Sequence, residues 1–164
     1  MARVYVSIGS NIHREYHIPT AIRALSQHYA PLTVSTVYES PAVGFAGDDF
    51  YNLVVGFDTE QTVAQVKSTL EQIEHDQGRT RNEAKFAART LDLDLLLYAD
   101  HILYDQGYDI PRHEITRYAF VLKPLAEIAG SMPHPVNGMT LAALWAEWSQ
   151  QQTASLTPVI LRHS

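Results

Sequence analysis

The chain has 164 residues, 46% hydrophobic and 18% charged, enough apolar material for a packed core and too little charge for a disordered chain. Eighteen acidic against twelve basic residues give a net charge of −6, which argues against a broad basic face of the kind that coats nucleic acid or an anionic membrane. Cysteine is absent, which excludes disulfide scaffolds, thiolate zinc sites and thiol catalysis. The length fits one domain over residues 1–164, at ~100–200 residues per domain. No apolar run reaches the ~18–20 residues of a membrane span. The N-terminus passes straight into an alternating pattern rather than a signal-peptide stretch, so a cytoplasmic location is expected.

Val4, Val6 and Ile8 alternate with Arg3, Tyr5 and Ser7, which predicts a half-buried strand ended by Gly9-Ser10-Asn11. Ile18, Ala21, Ile22 and Leu25 follow helical spacing, with Pro19 expected in the first turn. His13 and His17 lie one helical turn apart, without the order of a zinc-protease motif, and are read as an exposed helix start. Residues 33–38 read as a second strand, residues 40–49 as a loop, and residues 50–57 as a third strand. Asp58 or Thr59 is the expected cap of a helix carrying Val63, Val66, Leu70 and Ile73, with Gly78 at its end. Residues 79–89 read as a basic loop, and residues 90–98 as a fourth strand that turns at Ala99-Asp100 into a hairpin arm over 101–104. The order β-α-β-β-α-β is the split pattern of the ferredoxin-like α+β fold. Two further helices near 114–122 and 140–149 form a C-terminal helical extension, and residues 158–161 suggest an edge strand.

The chemistry concentrates in Arg89-Thr90-Leu91-Asp92-Leu93-Asp94-Leu95-Leu96-Leu97-Tyr98. Residues two apart on a strand share a face, so Asp92 and Asp94 point one way while Leu91, Leu93, Leu95 and Leu97 point into a core. Two adjacent carboxylates repel unless a cation sits between them, and magnesium takes such oxygen ligands together with substrate phosphates. A solvated strand face is the bland alternative. Arg79, Arg81, Lys85 and Arg89 crowd four of the twelve basic residues just before this strand. Their guanidinium forks match phosphate oxygens, although a solvated loop balancing local acids has the same composition. No Walker-type phosphate loop is present, Ser7, Ser10 and Ser40 lack a nucleophile context, and Trp145 and Trp148 read as packing residues.

Gln77-Gly78-Arg79, Arg89-Thr90-Leu91-Asp92-Leu93-Asp94 and Ala119-Phe120-Val121-Leu122-Lys123-Pro124-Leu125, with Ile8-Gly9-Ser10-Asn11 and Tyr51-Asn52-Leu53-Val54, stand in one order over residues 4–148. In these motifs the chain resembles the 6-hydroxymethyl-7,8-dihydropterin pyrophosphokinases of folate biosynthesis. The resemblance implies a ferredoxin-like fold and transfer of the terminal diphosphoryl unit of ATP to the pterin hydroxymethyl oxygen, releasing AMP. It implies that Asp92 and Asp94 hold two magnesium ions and that Arg79 and Arg89 stabilise phosphate charge. Asn52 and Phe120 would contact the pterin, with Pro41, Val43, Phe50 and Phe86 completing its pocket. Glu74, Arg81, Leu95, Arg112, His113 and Arg117 would face the nucleotide, and the 79–89 loop would close over both substrates. The expected partners are ATP and a reduced pterin, with no nucleic acid or membrane, and the expected state is a monomer.

The sequence departs from the family pattern mainly on the nucleotide side. Phe86-Ala87-Ala88 stands where Trp-Gly-Pro is usual, Pro111-Arg112 where Pro-His is common, and Tyr118 in place of an arginine. A basic residue expected near Gly107 is missing. Two alternatives therefore accompany the leading reading: a divergent paralogue acting on another pterin or nucleotide, and a non-catalytic ligand-binding module on the same fold. Asp92 and Asp94 count against the second.

Overall fold

A computed structural model describes residues 1–41, 49–78, 91–152 and 155–161. Strands β1 (Ala2–Ser10), β2 (Thr33–Val34), β3 (Val37–Ser40), β4 (Phe50–Thr59), β5 (Asp92–Tyr98) and β6 (Thr157–Val159) form one sheet in the order β5-β1-β4-β3-β6, with β2 also on β4. Each of these pairings is antiparallel. Helices α1 (Arg14–Tyr29) and α2 (Val63–Asp76) complete the ferredoxin-like set, and α3 (Ala119–Ala129) and α4 (Leu141–Gln151) follow it.

The alternation of β1 and β4 sorts their side chains into two cores. Val4, Val6, Ile8, Leu53, Val55 and Phe57 meet Ile18, Ala21 and Leu25 of α1 and Val66, Leu70 and Ile73 of α2. On the other face Tyr5, Val54, Leu96 and Leu97 meet Val121, Leu122 and Leu125 of α3 and Leu141 of α4. Each fully buried Leu, Ile or Phe contributes ~1.5–3 kcal/mol relative to exposure, so the two helix layers fix the sheet from both sides.

Several local expectations are corrected. Pro19 is the sixth residue of α1 rather than part of its first turn, because the helix already starts at Arg14 behind His13, whose φ is 47°. His17 is buried, with Nδ1 2.6 Å from Gln77 Oε1 beyond the end of α2, and only His13 is exposed. Helix α2 is capped by Thr62, not by Asp58 or Thr59, because β4 runs on to Thr59. Thr62 and Gln65 form a reciprocal capping box there. The expected single strand over 33–38 is broken at Ser35, whose Oγ accepts the Val54 N–H in place of a carbonyl. Thr36 N–H donates instead to Glu127 Oε2 on α3 at 2.6 Å, and Tyr38 Oη donates to Glu127 Oε1, so α3 is tied to this break.

In β5 the register slips opposite Tyr5 and Val6. Leu91 and Leu93 face α1 and α2 as expected, but Leu97 joins Leu96 on the α3 face, because a bulge puts two consecutive residues on one side. The hairpin arm over 101–104 does not form. Ala99 turns the chain with φ 50°, and a single bridge pairs Leu103 with Ile110 around a later turn. The helix expected over 114–122 is a 3-10 turn, His113–Thr116, followed by α3 from Ala119. The edge strand near 158–161 is present as β6 on β3.

Candidate active site

The candidate site lies where the end of β1 meets the starts of β4 and β5. Across this end runs one row of residues: Asp92 lies opposite Gly9, Gly9 opposite Asn52, and Asn52 opposite Tyr38. Asp94 lies one step inward, opposite Ser7. At ~4.8 Å between strands, Asp92 and Asn52 stand roughly 10 Å apart across the floor that Gly9 makes. Glycine leaves room there for Asn52: a Cβ on Gly9 would lie 2.9 Å from Asn52 Oδ1 and push the amide aside. Asn52 Nδ2 donates to Ser40 Oγ at 3.0 Å, which fixes the amide against β3.

Beside the carboxylates the chain from Ile110 to Glu114 runs along the outer edge of β5, and Arg112 N–H donates to Leu96 O at 3.0 Å. This brings the Arg112 guanidinium to Asp94, with Nη2 3.5 Å from Oδ1. The same Nη2 lies 2.6 Å, and Nε 3.1 Å, from Glu114 Oε1. Burial first, then the charge of Asp92, push the Asp94 carboxyl well above the usual carboxylate range. Arg112 opposes that shift, while Glu114 and a hydrogen bond with Asp92 add to it. For Arg112, loss of solvent works against its charge, but Asp94 and Glu114 outweigh it and move its pKa upward.

A cavity of about 180 Å³ adjoins this cluster, lined on one side by Lys67, Glu71 and Glu74 of α2 and on the other by Asp94, Leu95 and Arg112. Glu74 Oε2 accepts the Leu93 N–H at 2.7 Å, so α2 is pinned to β5 just where the carboxylates project. Lys67 Nζ lies 3.4 Å from Gly107 O and over the Tyr108 ring, which closes the outer wall. Asp109, also in the wall, holds His113 Nδ1 at 2.5 Å.

The structure thus gathers Asp94, Arg112, Glu74 and Leu95 around one cavity, with Asp92 beside Asp94. Asn52 and Phe50 meet over Gly9 on the same sheet end. Phe120, in the first turn of α3, stacks on Tyr118 with ring centroids 4.9 Å apart. Pro41 is exposed at the end of β3, and Arg117 is exposed behind the 3-10 turn, outside the cavity lining. His113 is also outside that lining and points to Asp109 instead. Val43, Arg79, Arg81, Lys85, Phe86 and Arg89 lie outside the described residues.

Sequence reasoning missed Glu114, Asp109, Lys67 and Arg14. Lys67, Glu71 and Glu74 have the spacing of one helical face, a signal that was available. Arg14 had none: its Nη1 bonds Glu39 Oε2 and Asp49 O, both at 2.7 Å, and so joins residues before and after the 42–48 segment.

Among the described residues no group of three or more His, Cys, Asp or Glu side chains is gathered as a metal cage. Two carboxylates without a third protein ligand suit a hard cation that keeps waters and takes its remaining oxygens from a phosphorylated ligand. A cation would also add counter-charge at half-buried Asp94, beside the loosely held Arg112. The donor set therefore fits magnesium.

A family model described as 7,8-dihydro-6-hydroxymethylpterin-pyrophosphokinase (HPPK) matches residues 5–130. The chain is 31% identical over 162 residues to a 2-amino-4-hydroxy-6-hydroxymethyldihydropteridine pyrophosphokinase of Haemophilus influenzae, covering 96% of this chain and 100% of that protein. It is 36% identical over 128 residues to a protein of the same name from Bacillus subtilis, covering 76% of each. Among solved structures, Plasmodium falciparum HPPK-DHPS (wild type) superimposes with a TM-score of 0.71 at 13% identity. That match covers 92% of this chain and 44% of the larger one, and at such identity it speaks for the fold.

Proposed function

The chain belongs to the 7,8-dihydro-6-hydroxymethylpterin-pyrophosphokinase family, and we propose that it transfers the terminal diphosphoryl group of ATP to 6-hydroxymethyl-7,8-dihydropterin at the sheet end around Asp92 and Asp94. The observation that carries this placement is the pair itself: two neighbouring carboxylates, of which Asp94 lines a cavity and has a guanidinium against it. In the reaction the pterin hydroxymethyl oxygen bonds to the β-phosphorus of ATP. The bond from that phosphorus to the α–β bridging oxygen breaks, AMP departs, and the hydroxyl proton passes to solvent.

Such a transfer asks the protein for positioning and charge stabilisation rather than covalent chemistry. Asp92 and Asp94 would hold magnesium, two ions on the family resemblance. Bound there, magnesium neutralises the polyphosphate and orients it. Arg112, which lines the cavity beside Asp94, would face the phosphates. Arg79 and Arg89 take the remaining phosphate charge, and Arg81, His113 and Arg117 flank the nucleotide. Asn52, pre-set by Ser40 over the Gly9 floor, offers its amide to the pterin edge. Phe50 and Phe120 would bound the ring, with Pro41, Val43 and Phe86 assigned to the same pocket by the family resemblance alone. Glu74 and Leu95 shape the nucleotide end of the cavity.

The test is product analysis with ATP, magnesium and hydroxymethyl-dihydropterin. Wild type should release AMP in step with pterin diphosphate, and Asp92→Asn should lose at least ~100-fold in kcat while keeping its fold. That loss corresponds to ~2.7 kcal/mol of transition-state stabilisation. Wild-type turnover in Asp92→Asn would remove the carboxylate pair from the mechanism.

A further inference from the structure

We propose that Glu114 is a positioning residue that holds the Arg112 guanidinium off Asp94 and so keeps that carboxylate available to a divalent cation. The inference rests on reading Asp92 and Asp94 as metal ligands. Arg112 stands between two carboxylates and is shared unequally: Nη2 and Nε lie 2.6 and 3.1 Å from Glu114 Oε1, while Asp94 Oδ1 is 3.5 Å away. Charge-assisted N–H···O bonds close to ~2.7–2.9 Å, so the contact to Glu114 is the tight one and that to Asp94 is loose.

The guanidinium has little freedom to leave. Side-chain exposures of Arg112, Asp94 and Glu114 are 27%, 21% and 19%, and a charge this far from water needs a charged partner. Its backbone is pinned to β5 by the bond from Arg112 N–H to Leu96 O. The 3-10 turn then places Glu114 two residues on, where its carboxylate reaches back to the guanidinium. Without Glu114 the carboxylate left within ion-pair reach among the described residues is Asp94, with Asp92 behind it, and a guanidinium fork matches a carboxylate bidentately. Arginine and metal would then compete for the same oxygens. Asp94 is thus kept only loosely engaged until the cation and its phosphates arrive.

The experiment titrates Mn²⁺ alone into the full-length protein and follows free Mn²⁺ by electron paramagnetic resonance. The variants are Glu114→Ala, Glu114→Gln, Arg112→Ala, the Glu114→Ala/Arg112→Ala double variant, and Asp94→Asn, each checked for folding by thermal melting. Glu114→Ala should weaken Mn²⁺ binding about ten-fold, equivalent to ~1.4 kcal/mol. Glu114→Gln keeps the shape and an acceptor oxygen and should lose less. Arg112→Ala should bind at least as tightly as wild type, and adding Glu114→Ala to it should change nothing further, a non-additive cycle. Equal losses from Glu114→Ala in both backgrounds would overturn the inference and leave Glu114 acting on the cation by charge alone. If wild type binds no Mn²⁺, or Asp94→Asn binds it equally well, the metal-ligand reading fails and the inference with it.

Discussion

Asp94 carries a carboxylate where burial, Asp92 and Glu114 all favour a neutral group, with Arg112 as its counter-charge among the described residues. Its position suits a ligand for a cation and works against the fold when no cation is bound. Asp94→Asn keeps the size and removes the repulsion. At neutral pH and without divalent metal it should raise stability by about 1 kcal/mol, or ~2–4 °C in Tm for a chain of this size, while activity falls steeply. Differential scanning calorimetry in chelator, set beside the activity assay, checks both halves. A melting temperature below that of wild type would mean that the bond to Arg112 outweighs the repulsion. At this scale much of the site was legible, because Asp92 and Asp94 follow from period-two alternation alone. The unequal sharing of Arg112 was not, since nothing in Arg112-His113-Glu114 says which carboxylate takes the guanidinium.

Elements were legible where their pattern was periodic and obscure where one bond replaced another. The alternation in β1 and the spacing of Val66, Leu70 and Ile73 in α2 map directly onto the core. The break at Ser35 and the bulge in β5 do not follow from pattern, because each depends on a partner strand: Val54 for the first, Tyr5 and Val6 for the second. The connection between α3 and α4 is a comparable case. Pro133 and Thr140 bridge across it, His134 N–H donates to Met139 O at 2.7 Å, and buried His134 Nδ1 accepts the Val136 N–H at 3.2 Å. Burial, then the nearby His113, lowers the His134 pKa. The unfolded chain thus binds a proton near pH 6.5 that the folded turn refuses, so stability falls as pH drops below that value, by at most ~1.4 kcal/mol per pH unit. Asn at position 134 offers an acceptor oxygen in place of Nδ1 and does not titrate. Chemical denaturation at pH 7.5 and 5.5 should therefore show a smaller loss for His134→Asn than for wild type. The same loss in both would place the pH dependence elsewhere.

For the whole molecule, a net charge of −6 has to coexist with a tetra-anionic co-substrate, and the fold meets this by local concentration. Arg112 stands at the cavity, and Arg79, Arg81, Lys85 and Arg89 are gathered within eleven residues of sequence that lead into β5. The departures from the family pattern at Gly107, Arg112 and Tyr118 fall in the segment that follows β5, which also supplies Asp109 and Glu114. Gly107 and Arg112 both line the cavity, and Tyr118 turns instead toward Phe120. On the proposed reading the nucleotide end is built around an arginine–glutamate pair, beside the Gly9 floor and Asn52. The central claim is that this site moves two phosphoryl groups together rather than one. ATP labelled at the β-phosphorus, incubated with magnesium and hydroxymethyl-dihydropterin, should leave all transferred label in the pterin diphosphate and none in the released nucleotide. Label retained in ADP, or a pterin product carrying a single phosphate, would contradict it.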